Sequence, residues 1–240
     1  LIGALNALLH AVLSINFKTD QIVSGTVINI LAIGVTGYVR RTFLVDTPSG
    51  RTTLQEIHIP LLSDIPFLGK ILFTEKPIFY MMILLIIGAH IVLFYTRWGL
   101  RARAVGENPR AADTVGINVY RTRYLNVLIS GMIAGLAGAW FSLETVGSFD
   151  DGMTAGKGFI ALAAMIFGKW TPFGAFGGAM LFGFADALGT RFQILQIELF
   201  GAPLPNQFLQ VLPYVVTIIV LAGLIGRATP PAAVGQPYEK

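Results

Sequence analysis

Two uninterrupted apolar runs, residues 78–95 and 124–143, constrain this chain more than any other feature. Each is long enough to cross a hydrocarbon core of about 30 Å as a helix. In hydrocarbon the backbone amides find no water, so such a run satisfies its hydrogen bonds internally and folds as a helix. Residues 208–226 form a third run, and 22–39 a fourth, more polar one that carries Ser24, Thr26 and Asn29. Residues 1–17 read as the remainder of a fifth, and 173–189, rich in small residues, as a sixth. Residues 159–168 are different: they offer about 15 Å of helix before Lys169, Trp170 and Pro172 interrupt them. That length reads as a half-helix or a re-entrant segment, which a bilayer tolerates where protein or water covers the exposed backbone. The expected fold class is therefore all-α, a polytopic membrane helix bundle.

Composition agrees. Residues of the AVILMFWYC class make up 54% of the chain and charged residues 12%, which is too apolar for an ordinary soluble domain of this length. The absence of cysteine excludes disulfides, thiolate metal sites and cysteine nucleophiles. The chain opens in apolar sequence with no basic region ahead of it, so it reads as beginning inside a membrane segment, as a fragment lacking its natural N-terminus.

Between the two longest runs lies RWGLRARAVGENPRAADTVGINVYRTR, residues 97–123, in which six arginines face only Glu107 and Asp113. The positive-inside rule places this loop in the cytoplasm. Asn108 can cap a helix there, Pro109 suits its first position, residues 110–115 supply about two turns and Gly116 can end them. A helix this short buries little of itself, so it is expected to be gripped by a cytoplasmic partner. The net charge of +4 comes largely from this island and reads as topology and contact with anionic lipid, with no footprint for nucleic acid.

From that anchor the orientation follows. Residues 78–95 run inward and 124–143 outward; 147–157 and 191–207 lie outside, and 227–240 form a short cytoplasmic tail. Residues 40–77 form an extracytoplasmic segment broken by Pro60 and Pro66, and 18–21 a tight inner turn. Small residues four apart, Gly131 with Gly135, Ala134 with Gly138, Gly174 with Gly178 and Ala179 with Gly183, mark faces for close helix approach.

Catalytic chemistry finds no constellation. GMTAGKG at 152–158 has the wrong spacing for a phosphate loop and no Ser or Thr after Lys157. His10, His58 and His90 lack metal-ligand spacing, and Glu144 and Asp186, the carboxylates near membrane depth, do not form an acid–base pair. No cofactor is implied. Asn6, Ser24, Thr26, Asn29, Asn126 and Ser130 suit the passage of a neutral polar solute, with interhelical hydrogen bonding as their alternative role; Ser24, Asn29, Asn126 and Ser130 are the candidate pathway residues.

The segment GENPRAADTVGINVYRTRY, residues 106–124, resembles the cytoplasmic coupling region of bacterial ABC-importer permeases, in the branch that includes branched-chain amino acid, ribose-type sugar and nucleoside permeases. Residues 20–34, DQIVSGTVINILAIG, 158–188, GFIALAAMIFGKWTPFGAFGGAMLFGFADAL, and 213–238, PYVVTIIVLAGLIGRATPPAAVGQPY, resemble the nucleoside and simple-sugar members more closely. The resemblance implies a single transmembrane permease domain over 1–240 in the bacterial inner membrane. It also implies a cytoplasmic ATPase subunit, a second permease subunit, identical or related, and an extracytoplasmic binding protein or lipoprotein that delivers solute. It maps the coupling helix onto 108–116, with Asn108, Pro109, Arg110, Ala111, Ala112, Asp113 and Gly116 at the ATPase contact. The general Glu-Ala-Ala loop motif stands here as Arg110-Ala111-Ala112. A nucleoside is the first expectation for the solute and a ribose-type sugar the second; an ion-coupled carrier using Glu144, Asp186 or His90 is the alternative from another class.

Overall fold

The computed structural model describes residues 1–44, 53–60, 63, 65, 66, 69, 72–195, 198, 199, 202, 203, 211, 215 and 228–239. The expected crossing at 208–226 lies outside the described residues, apart from Val211 and Val215. The described elements are α-helices with two minimal strand pairs, Ile57–His58 against Thr74–Glu75 and Glu198–Leu199 against Ala202–Pro203. The protein is all-α and spans the membrane several times. Among the described residues four helices are long and apolar enough to cross: Gln21–Phe43, Pro77–Tyr95, Val119–Thr145 and Pro172–Ile194.

The chain divides into two compact units, Leu1–Ala155 with Pro231–Lys240, and Gly156–Pro230. In the first, α1 (Ile2–Ala11) runs on through a π-helical turn, Val12–Asn16. Asp20 then starts α2 (Gln21–Val39) by accepting from the amides of Ile22 and Val23 at 2.8 and 3.0 Å. Next come α3 (Pro77–Tyr95), α4 (Arg97–Glu107), α5 (Pro109–Thr114) and α6 (Val119–Trp140), the last extended by a π-helical turn, Phe141–Thr145. The main helix contact of this unit is α1 against α6, and glycine makes it. A Cβ added at Gly131 would overlap Ala7 and the Gly3 carbonyl, and one at Gly135 would sit 3.4 Å from the Gly3 Cα. Small residues let two backbones approach this closely, which is how helices associate where lipid competes for apolar contact. The parallel stripe behaves differently, because nothing lies within 4 Å of a Cβ added at Gly138 and Ala134 is exposed.

At the end of α3 opposite to the 97–123 arginines, Glu144 is 5% exposed and accepts from the Ile78 amide at 2.6 Å, while the Lys76 ammonium donates to the Glu144 carbonyl. A carboxylate at the first turn of α3 satisfies an amide that has no partner inside the helix and complements the helix dipole. Arg40 holds Asp150 at 2.7 Å and Asp151 at 3.4 Å at this end.

In the second unit α7 (Lys157–Phe167) and α8 (Pro172–Ile194) form a helical hairpin. Eleven residues give α7 about 16 Å, half a hydrocarbon core. The joining turn passes through left-handed Lys169 (φ 53°) and Trp170 (φ 59°), after which Thr171 caps α8 on the Gly174 amide at 3.2 Å. Gly174 and Gly178 are the close-approach positions, since added Cβ atoms would strike the backbone of Gly168 and Ala164. Phe167 stacks on Phe182 with centroids 5.6 Å apart. Ala179 is exposed and a Cβ at Gly183 would meet nothing, so here too one of two sequence stripes packs.

Candidate functional site

The arginine-rich stretch folds as two helices. Thr96 ends α3 and caps α4 by accepting from the Gly99 amide at 3.2 Å. Gly99 is buried so closely under α3 that a Cβ would overlap the backbone of Val92 and Leu93, which makes glycine the residue for this turn. Arg103 lies 4.9 Å from the centre of the Phe94 ring, a cation–π contact that fixes α4 against the end of α3. Sequence reasoning missed α4. Its signals were the capping Thr96 and the spacing of Trp98, Ala102 and Val105 on one face.

The second helix, α5, forms as its sequence predicts. The Asn108 side chain accepts from the Ala111 amide at 3.0 Å, and Pro109 takes the first helical position. At the far end Gly116 is left-handed (φ 83°), with its amide on the Asp113 carbonyl at 2.9 Å and the Ile117 amide on the Ala112 carbonyl at 3.0 Å. These bonds occupy carbonyls that the helix itself leaves free. Asn118 then caps α6 through the Arg121 amide at 2.9 Å.

α5 has two sides. Ala112 is 3% exposed and packs with Val105, Val119 and Tyr238 in a small apolar core, flanked by Ala104 and Ile117. Arg110, Ala111, Thr114, Val115 and Gly116 are exposed, Val115 at 75%, while Pro109 and Asp113 are half-buried. Of the residues expected to meet a partner, Ala112 is thus covered by its own chain. Around this face Arg97, Arg101, Arg103, Arg110 and Arg121 are exposed, and Arg123 is half-buried.

The segment 231–239 closes over this region. The Ala233 amide donates to the Gly106 carbonyl at 3.0 Å, Arg123 Nη1 to the Gln236 carbonyl at 2.9 Å, and Lys18 Nζ meets Glu239 Oε1 at 2.6 Å. Burial first, and then a hydrogen bond to Asp113, push the Tyr238 phenol above its ordinary range. The Lys18 ammonium holds the Glu239 carboxyl below its usual range, and that contact in turn raises Lys18. No sequence signal pointed to this packing.

A cavity of about 240 Å³ lies beside the core, lined by His10, Ser14, Arg123 and Asn126 among others. Of the four candidate pathway residues Asn126 lines this cavity, and Ser24 is buried behind it, 3.1 Å from the Nδ1 of the lining His10. Asn29 and Ser130 are exposed on their helices, with Ser130 donating to the Val127 carbonyl of its own helix, and Asn6 is exposed as well. The carboxylates that a proton carrier would need have other partners: Glu144 holds the start of α3, and Asp186 is exposed and 3.3 Å from Lys157. His90 packs against the Phe94 and Tyr95 rings.

A sequence profile described as branched-chain amino acid transport system / permease component matches residues 1–221. The chain belongs to that permease family. The permease is 46% identical to the guanosine ABC transporter permease protein NupQ of Bacillus subtilis, over 99% of its length and 75% of that relative. It is also 46% identical to the nucleoside ABC transporter permease protein NupC of Lactococcus lactis, over 100% of its length and 75% of the relative. Against the putative glucose ABC transporter permease protein TsgC13 of Haloferax volcanii it is 33% identical, over 99% and 78%. No solved structure matches it. It is an ABC permease, a multi-pass membrane protein whose role is transport.

Proposed function

We propose that the permease forms the solute pathway of a bacterial nucleoside importer in the cytoplasmic membrane, with ATP hydrolysis on a separate cytoplasmic ATPase subunit. A second permease subunit, identical or related, completes the pathway, and an extracytoplasmic binding protein or lipoprotein delivers solute. The observation that carries this reading is the two-sided α5, one face fastened to the permease and the other exposed among five exposed arginines. That exposed face, with Arg110, Ala111 and Val115, seats in the ATPase, so nucleotide-driven closure of the ATPase pair shifts α5 and, through the caps at Asn108 and Asn118, the helices on either side. Alternating access then exposes the pathway to one side at a time. The solute class rests on the relatives at 46% identity, which are named for guanosine and nucleosides.

Uptake of radiolabelled nucleosides and ribose, in cells with and without the gene, tests the solute. The expected result is a loss of nucleoside uptake that unlabelled ribose does not compete; loss of ribose uptake alone assigns a simple sugar instead. Uptake that survives ATP depletion and collapses with an uncoupler would overturn the ATP-driven mechanism. For docking, Ala111→Glu should remove co-purification of the ATPase while leaving the permease inserted and as thermally stable as before. Ala112→Glu, which forces a carboxylate into the core under α5, should lower thermal stability as well.

A further inference from the structure

Residues 238 and 239 are neighbours in sequence and touch two different elements of this unit, the core under α5 and the α1–α2 turn. Tyr238 is 6% exposed and shares the core beneath α5 with Val105, Ala112 and Val119. Its ring meets that of Tyr120 edge to face with centroids 5.5 Å apart, and it shares the core with Ala112 of α5. The next residue, Glu239, reaches Lys18 at 2.6 Å. Lys18 sits with φ 53° in the turn that joins the π-helical end of α1 to α2, and its backbone leaves little latitude there. Upstream, the same segment is pinned to α4 through Gly106 and to α6 through Arg123.

We propose that Tyr238 is a positioning residue for energy coupling, through which the segment 231–239 carries the displacement of the ATPase-docked α5 to the α1–α2 turn. The inference rests on the docking role given to α5 above. Without the strap, the caps at Asn108 and Asn118 join α5 to α4 and α6, and α6 reaches the end of α1 through Tyr124 Oη, which donates to Asn16 at 3.0 Å; the strap adds a direct link from α5 to the turn itself. With it, the turn between α1 and α2 is fastened to α5 by a buried aromatic anchor and an ion pair one residue apart. α1 in turn meets α6 through Gly3 and Gly131, so a shift at the turn reaches the helix contact on which this unit is built.

The test is the complete transporter reconstituted in vesicles with its ATPase and binding protein, scored as nucleoside transported per ATP hydrolysed. Tyr238→Ala is expected to keep the ATPase bound and hydrolysing while transport per ATP falls about fivefold. Tyr238→Phe, which keeps the buried ring and removes only the hydroxyl, should fall between the two. Lys18→Glu leaves the core untouched and should lower the ratio about twofold, with Lys18→Glu/Glu239→Lys restoring it. An unchanged ratio in Tyr238→Ala, or loss of ATPase binding in proportion to transport, would overturn the proposal, the second because Tyr238 would then only maintain the docking surface. Should Tyr238→Ala not fold, failure of the charge reversal to change the ratio overturns it instead. A wild-type permease that never binds an ATPase refutes the docking role itself and is seen before any variant is made.

Discussion

The arginine-rich end and the membrane-length helices are held together by different forces. At the arginine-rich end Val105, Ala112, Val119 and Tyr238 are buried from water in an ordinary small core, with hydrogen bonds and an ion pair around its rim. Along α3 no residue is buried, and α1 meets α6 through glycine backbones and Ala7. Removing apolar surface from water drives packing only where water is the competing solvent. Within lipid a leucine is as well accommodated outside the bundle as inside it, so shape and close approach decide. One chain therefore contains a hydrophobic core the size of a few side chains and, next to it, helix contacts that contain almost no side chain.

The largest effect that distinguishes the two regions is expected at Gly131. Gly131→Leu places bulk against Gly3 and Ala7 and should lower stability by about 3 kcal/mol or more, read as the thermal midpoint in detergent. Gly138→Leu, on the stripe that meets nothing within 4 Å, should leave that midpoint nearly unchanged. Equal losses at both positions would show that general helix distortion, and not close approach, sets the cost. Next in size is Val119→Ala, which removes part of the one large side chain that is fully buried among the described residues. A loss of about 2 kcal/mol is expected, and it should appear as faster hydrogen exchange in α4 and α5 with the α1–α6 contact unaffected.

The smallest effect sharpens the boundary between core and rim. Lys18→Ala removes an exposed ion pair, so only a small drop in thermal midpoint is expected. Its sign follows from the two titrations. The lowered Glu239 carboxyl contributes above the ordinary carboxylate range and loses that contribution as pH falls through its depressed value. The raised Lys18 amine contributes below the ordinary lysine range and loses it as pH rises through its elevated value. The difference between wild type and variant should therefore hold across neutral pH and vanish at both extremes; a difference that persists in acid would show that the lysine stem, and not its charge, matters.

How much was legible differs by residue. Asn108, Pro109 and Gly116 announced α5 in the sequence, and each acts there as its chemistry requires. The resemblance to permease coupling helices placed Ala112 among the residues offered to a partner, and nothing in the local sequence separates the side of this short helix that is buried from the side that is exposed. Tyr238 supplies that burial from more than a hundred positions away, and no local pattern encodes such a pairing. Likewise Gly131 with Gly135 and Ala134 with Gly138 are indistinguishable as spacings, and only the first pair faces α1.

What the sequence by itself determined is what depends on solvent and on local hydrogen bonding: which runs are long and apolar enough to cross the membrane, that residues 159–168 are too short to do so, and where α5 begins and ends, whereas α6 starts at the Asn118 cap, ahead of the run expected from residue 124. Those properties are written in a window of one helix or one cap, because each amide must find its partner within a few residues or face lipid without one. The tertiary structure decided which face of each helix packs, that Glu144 serves the start of α3, and that a distant segment covers α5 and ties it to the α1–α2 turn. These are contacts between residues far apart in sequence. Their energy comes from shape and from side chains brought together by the whole fold, so no single stretch of the chain contains them.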